Sequence, residues 1–268
     1  VSQVVERPIF VARERELERL NGFLDYTMAG KGMVAFVSGG SGKGKTALLE
    51  EFSRRAMENH PNLLVAGGSC NAYSGVGDSF LPFREVMSML TGDVEAQWAA
   101  GRVSTGQARR TWEVLPVAIK ALLDHGPHLP GIFINRKMLI SRASSAMAEN
   151  EAWLKELRVE LDSQQAQADG LEQTHIFEQY TNVLRALANE HPLLLVLDDI
   201  QWADMASVGL LFHLGRRLEG APILILCAYR PAEIDLRQTS PQGGSEHNER
   251  HLLEKLLTEF KRQFGDVW

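Results

Sequence analysis

Gly39-Gly40-Ser41-Gly42-Lys43-Gly44-Lys45-Thr46 follows the apolar run Met33–Val37 directly and leads straight into Thr46–Met57, where Leu48, Leu49, Phe52 and Ala56 recur at helical spacing. A buried strand that turns through glycines into a helix can grip a cluster of oxyanions. Glycine lets the backbone curl so that successive N–H groups converge on a small volume. The helix beginning near Lys45 adds roughly half a positive charge at its N-terminus. The spacing Gly39-x4-Gly44-Lys45-Thr46 matches the P-loop pattern at every fixed position. In that chemistry Lys45 supplies a point charge to the β and γ phosphates, and the Thr46 hydroxyl ligates Mg²⁺. Gly39, Gly40, Ser41, Gly42, Lys43, Gly44 and Ala47 complete the cradle. The side chain of Lys43 reads foremost as a solvated loop charge.

A phosphate loop alone does not hold the metal, which draws a carboxylate from the end of a neighbouring strand. Leu193–Leu197 is an apolar run ending in Asp198-Asp199. Adjacent carboxylates after a buried strand repel each other unless a cation lies between them. We assign Asp198 to the Mg²⁺ shell and Asp199 to orienting or deprotonating the attacking water. A further apolar run, Pro222–Tyr229, ends at Arg230. An arginine there is placed to reach the γ-phosphate.

Working outward, Arg13–Met28 carries Leu17, Leu20, Phe23 and Leu24 on one helical face, and Leu63–Ala66 reads as a strand closed by Gly67-Gly68. Helices are expected over Phe80–Leu90, around Ile176–Leu187, from Met205 to Leu218 with Asp204 as N-cap, and over His251–Phe264. Strands alternating with helices imply a parallel sheet covered on both faces. The expected fold class is therefore α/β: a P-loop NTPase three-layer α/β/α domain with a mostly parallel sheet, spanning 1–268. Residues 91–170 are rich in Ala, Gln, Glu and Arg, with helical stretches at Thr111–Leu123 and Glu149–Ala168. They read as a helical insertion, in which Trp98, Trp112 and Trp153 serve as core anchors. Residues 238–248 read as a polar loop. His247 and His251 stand four apart beside that loop and read as a solvated helix start rather than a metal pair.

The composition, 44% apolar and 23% charged, is that of an ordinary globular protein. A net charge of −6 argues against a broad nucleic-acid footprint. Cys70 and Cys227 form no metal-ligand spacing, which points to a reducing compartment. No apolar run approaches a bilayer span. The expectation is a cytoplasmic chain that contacts no membrane. It begins on Val1, and Val267-Trp268 resembles the start of another strand, so we expect it to be part of a longer polypeptide.

Three segments together resemble the STAND class of signal-transducing P-loop ATPases, within the wider AAA-like group. Phe10-Val11-Ala12-Arg13-Glu14-Arg15-Glu16-Leu17 is similar to the family's FVGRE-type opening motif, with Ala12 where the family has glycine. The second segment is the phosphate loop. Leu197-Asp198-Asp199-Ile200-Gln201-Trp202-Ala203-Asp204 is similar to the Walker B form of large LuxR- and MalT-type bacterial regulators and of ATPases fused to cyclases or kinases. Ala228-Tyr229-Arg230-Pro231 resembles the family's sensor-1 strand end.

The resemblance implies that Phe10, Val11 and Arg13 border the adenine or ribose, and that Trp202 and Asp204 are structural or lie near the site. It implies ATP and Mg²⁺ as cofactors. It also implies fused C-terminal regulatory or repeat domains beyond this chain, and nucleotide-dependent self-association. No guanine-reading NKxD is present, since Asn135-Arg136-Lys137-Met138 lacks the aspartate. The expected function is a slowly hydrolysing, ATP-dependent switch. The alternatives are a scaffold that holds ADP without turnover, a DNA-associated ATPase, and, more remotely, a small-molecule kinase.

Overall fold

The apolar runs become strands because both of their faces are buried, which satisfies a parallel sheet whose backbone bonds are all made between neighbours. The computed structural model describes residues 13–71, 79–99, 103–146, 151–165 and 172–233, with isolated helical positions between 254 and 262. Its strands are β1 (Met33–Ser38), β2 (Leu64–Ser69), β3 (Leu193–Asp198) and β4 (Ile223–Tyr229). They lie in the order β1-β4-β3-β2, and every pairing is parallel. From β1 the chain crosses to the far edge at β2, then returns one strand at a time. The acidic strand β3 is therefore not beside the phosphate-loop strand β1, since β4 lies between them.

Alternate residues serve two separate cores. Met33, Ala35 and Val37 of β1, Leu194 of β3, and Leu224, Leu226 and Ala228 of β4 pack against α1 (Glu14–Met28) and α2 (Lys45–Asn59). The opposite set includes Val34, Phe36, Leu195, Leu197, Ile225 and Cys227. It faces α3 (Leu81–Leu90), α5 (Thr105–His125), α8 (Gln173–Glu190) and α9 (Met205–Gly215). These are the three layers expected from the pattern. The short α4 (Glu95–Ala99), α6 (Arg136–Ala146) and α7 (Glu151–Gln165) lie in the same stretch between β2 and β3. Leu139, Leu154, Leu157 and Leu161 join α6 and α7 to the larger core. Among the described residues no helix is long and apolar enough to cross a membrane.

Three expectations change. The glycine pair Gly67-Gly68 does not end β2 but continues it to Ser69. A β-carbon on Gly68 would overlap the Pro82 carbonyl oxygen, so the close approach of α3 requires glycine. Trp98 is no core anchor: it is 51% exposed and donates its indole N–H to Thr105 Oγ1 at 3.2 Å. Helix α6 had no counterpart in the periodic pattern, because its buried face is only Leu139, Arg142 and Ala143. The expected loop at 238–248 and the His247/His251 pair fall outside the described residues.

Helices α3 and α5 also close the outer edge of β2. Gly67 N–H donates to Met89 Sδ and Ser69 N–H to Glu85 Oε2, while the Gln107 amide donates to the Val65 carbonyl. An edge strand satisfied in this way no longer templates pairing with another chain.

Candidate functional site

The carboxyl ends of a parallel sheet gather the loops that follow each strand, and ligands bind in the crevice there. The residues singled out by sequence lie at those ends: the loop after β1, Asp198-Asp199 at the end of β3, and Arg230 after β4. Gly42 and Gly44 take the left-handed φ values 69° and 71° that the loop's turn demands. Helix α2 starts at Lys45 with no side-chain cap, so its first N–H groups are those a helix leaves unpaired.

Lys45 is buried, and its ammonium donates to the carbonyls of Gly39 and Gly40 at 2.9 and 3.3 Å. Among the described residues it has no carboxylate within ion-pair distance, so its positive charge is offset only by carbonyl dipoles. A buried cation in that condition favours an anion beside it. Ser41, Gly42 and Lys43 are exposed on the loop, and Thr46 and Ala47 are exposed on the first turn of α2. Arg13 donates to the Lys43 carbonyl, and its guanidinium lies against Gly44. The resemblance implies that Arg13 borders the adenine or ribose; its guanidinium also contacts the phosphate loop. Phe10 and Val11 lie outside the described residues.

The Thr46 hydroxyl donates to Asp198 Oδ2 at 2.6 Å across 152 positions of sequence. Asp198 Oδ1 accepts the N–H of Asp199 at 2.8 Å, which fixes the carboxylate's orientation. This donor set fits Mg²⁺. The described residues hold no cluster of three or more His, Cys, Asp or Glu that would cage a metal alone. One hydroxyl beside one carboxylate is what a cation needs when phosphates and water complete its shell.

Asp199 sits at φ 54°, a left-handed position aspartate tolerates better than most residues. Its Oδ1 lies 3.3 Å from Arg230 Nε and accepts the Gln201 amide at 2.8 Å. Arg230 Nη1 is bound to Glu233 Oε1 at 2.7 Å. That hydrogen bond is the largest cause holding the guanidinium further toward its charged form; burial opposes it and Asp199 adds to it. Among the described residues Arg230 Nε is buried without a hydrogen-bond acceptor, because Asp199 stands at ion-pair distance but off the donor's line.

Asp204 is the expected N-cap of α9. Its Oδ1 accepts from the N–H groups of Ala206 and Ser207, both at 3.0 Å. Its Oδ2 accepts the N–H of Phe80 at the start of α3. Sequence reasoning missed Gln201 and Glu233. Glu233 carried a signal, an acid three residues after a base in a helical turn. Gln201 carried none, because only the folded chain buries it.

Fold and site together define a parallel α/β nucleotide-binding protein whose phosphate loop opens a helix and faces a strand-end acidic pair. The chain belongs to the AAA ATPase domain family, whose model matches residues 9–226. Nucleotide binding and ATPase chemistry are the general property of that family. The chain is also similar to an uncharacterized protein of Rhizobium meliloti (strain 1021), 25% identical over 227 residues. The match covers 83% of this chain but 18% of that protein, so the chain spans less than a fifth of the relative's length.

Proposed function

We propose that this domain binds ATP with Mg²⁺, hydrolyses it slowly, and couples nucleotide state to conformation or self-association as a signalling switch of the STAND kind. The observation carrying this reading is the Thr46–Asp198 contact, which brings the phosphate loop and the acidic strand end into one site. Residues Gly39 to Ala47 hold the phosphates, and Lys45 neutralises the β and γ oxygens. Thr46 and Asp198 hold Mg²⁺, which supplies further neutralisation of phosphate charge. Phe10, Val11 and Arg13 border the base and ribose.

In hydrolysis the water oxygen bonds to the γ-phosphorus as the bond to the β–γ bridging oxygen breaks, and a water proton passes to Asp199. Arg230, whose Nε is ion-paired with Asp199 but makes no hydrogen bond among the described residues, turns to the γ-phosphate. Residues 91–170 form a helical insertion in a single domain. The conformational and assembly outputs belong to further regions of a longer cytoplasmic polypeptide, a reading supported by the small share of the relative that matches.

The test is paired. Lys45→Ala should lose ATP binding by about tenfold or more. Asp199→Asn should bind ATP normally and lose roughly a hundredfold in kcat. Wild-type affinity in Lys45→Ala would overturn the site. A second reading, an ADP-holding scaffold without turnover, is favoured by one observation: Asp199 and Arg230 are engaged with each other. Retained ADP in purified protein with no phosphate release would establish it.

A further inference from the structure

We propose that Gln201 is a positioning residue for hydrolysis, which aims the Asp199 carboxylate and ties it to the backbone that carries Arg230. This rests on Asp199 acting on the attacking water. Gln201 is 5% exposed and lies in the single 3₁₀ turn Ile200–Trp202 that follows the acidic pair. Its Nε2 donates to Asp199 Oδ1 at 2.8 Å and to Glu233 Oε2 at 3.2 Å. Its Oε1 accepts the Arg230 N–H at 3.1 Å. One neutral side chain thus links the end of β3, the end of β4 and the acid that pairs with Arg230.

The division of labour at Asp199 follows. Arg230 Nε makes no hydrogen bond to Asp199, so it attracts the carboxylate without orienting it. The Gln201 amide does make one, and the amide's own geometry is set by the Arg230 N–H it accepts. Binding Oδ1 leaves Oδ2 as the oxygen with no protein partner among the described residues, on a side chain 29% exposed. That is the oxygen available to a water. An amide is needed here on charge grounds as well. Its NH₂ group faces two carboxylates, where an acid would add a third negative charge.

The test uses Gln201→Glu and Gln201→Met, both near the size of the native side chain. Gln201→Glu keeps an oxygen for the Arg230 N–H but loses the donor to Asp199. Gln201→Met loses both. We expect both variants to keep the wild-type ATP dissociation constant and KM within about twofold, and to lose about tenfold or more in kcat. Joined to Asp199→Asn, either should add almost nothing to the loss of Asp199→Asn alone, because both act on one carboxylate.

Full turnover in the Gln201 variants beside an impaired Asp199→Asn overturns the positioning role and leaves Asp199 in place. Full turnover in Asp199→Asn overturns the base assignment itself. A loss of affinity matching the loss of kcat, or additive losses in the double variants, shows that Gln201 serves the fold, and overturns the inference too.

Discussion

Single carboxylates at the strand ends are told apart by their partners. Asp198 and Asp199 are neighbours in sequence, yet one meets Thr46 and the other meets Gln201 and Arg230. Asp204, five residues on, is spent on structure: it caps α9 and takes the Phe80 N–H. Phe80 needs that anchor, because it sits at φ 65°, a strained conformation for a bulky residue. Its ring is held in turn by Phe133 and Phe177. Asp204→Ala removes a helix cap and leaves a backbone donor without its partner, so it should cost about 2 kcal/mol or more. Urea unfolding would measure this, and Asp204→Asn, which keeps an acceptor, should recover part of the loss.

Helices α1 and α2 seat the phosphate loop, and charge as well as burial joins them. Glu51 on α2 accepts from Arg54 and Arg55, and Arg55 reaches Glu14 on α1. The Arg54 hydrogen bond is the largest cause pulling the Glu51 carboxyl from 4.5 down to about 2, against an opposing push from burial. A carboxyl whose folded pKa is depressed stabilises the fold above its unfolded pKa. That contribution is lost as pH falls from 4.5 toward about 2. Glu51→Gln should therefore melt below wild type at neutral pH, and thermal melts should show the gap closing through that acid range. The apolar face of each helix was legible from its period of 3.6. This charge net was not, since Glu14 and Arg55 are 41 residues apart.

The whole molecule buries two thiols. Cys227 is enclosed in β4, and Cys70 follows β2, accepted by the Asp198 carbonyl through its N–H. Burial pushes both thiols far up; Asp204, Glu85, Asp199 and Asp198 raise Cys70 further. Neither should react with an alkylating reagent at neutral pH until the structure opens. A ligand that binds only the folded state stabilises it by about 2.7 kcal/mol at a hundred times its dissociation constant. Saturating ATP with Mg²⁺ should therefore slow labelling by up to about a hundredfold wherever labelling requires global opening. Mass spectrometry of alkylated protein would give both rates. Unchanged labelling under ATP would mean that the thiols open without disturbing the nucleotide site.

The chain's own residues determined the layers and the phosphate loop, because both are written in short-range pattern. Apolar runs of strand length, helical periods of 3.6 and a glycine spacing are local, and burial on both faces of a parallel sheet enforces them. Asp198-Asp199 and Arg230 were legible for the same reason, each being polar at the end of an apolar run. Tertiary structure alone decided the strand order, with β4 between β1 and β3, and the close approach that keeps Gly68 a glycine. It also decided the partners within the site: Thr46 with Asp198, and Gln201 between Asp199 and Arg230. Those contacts join segments up to 152 residues apart. Only the folded sheet, by bringing its carboxyl ends together, gives such side chains a common address.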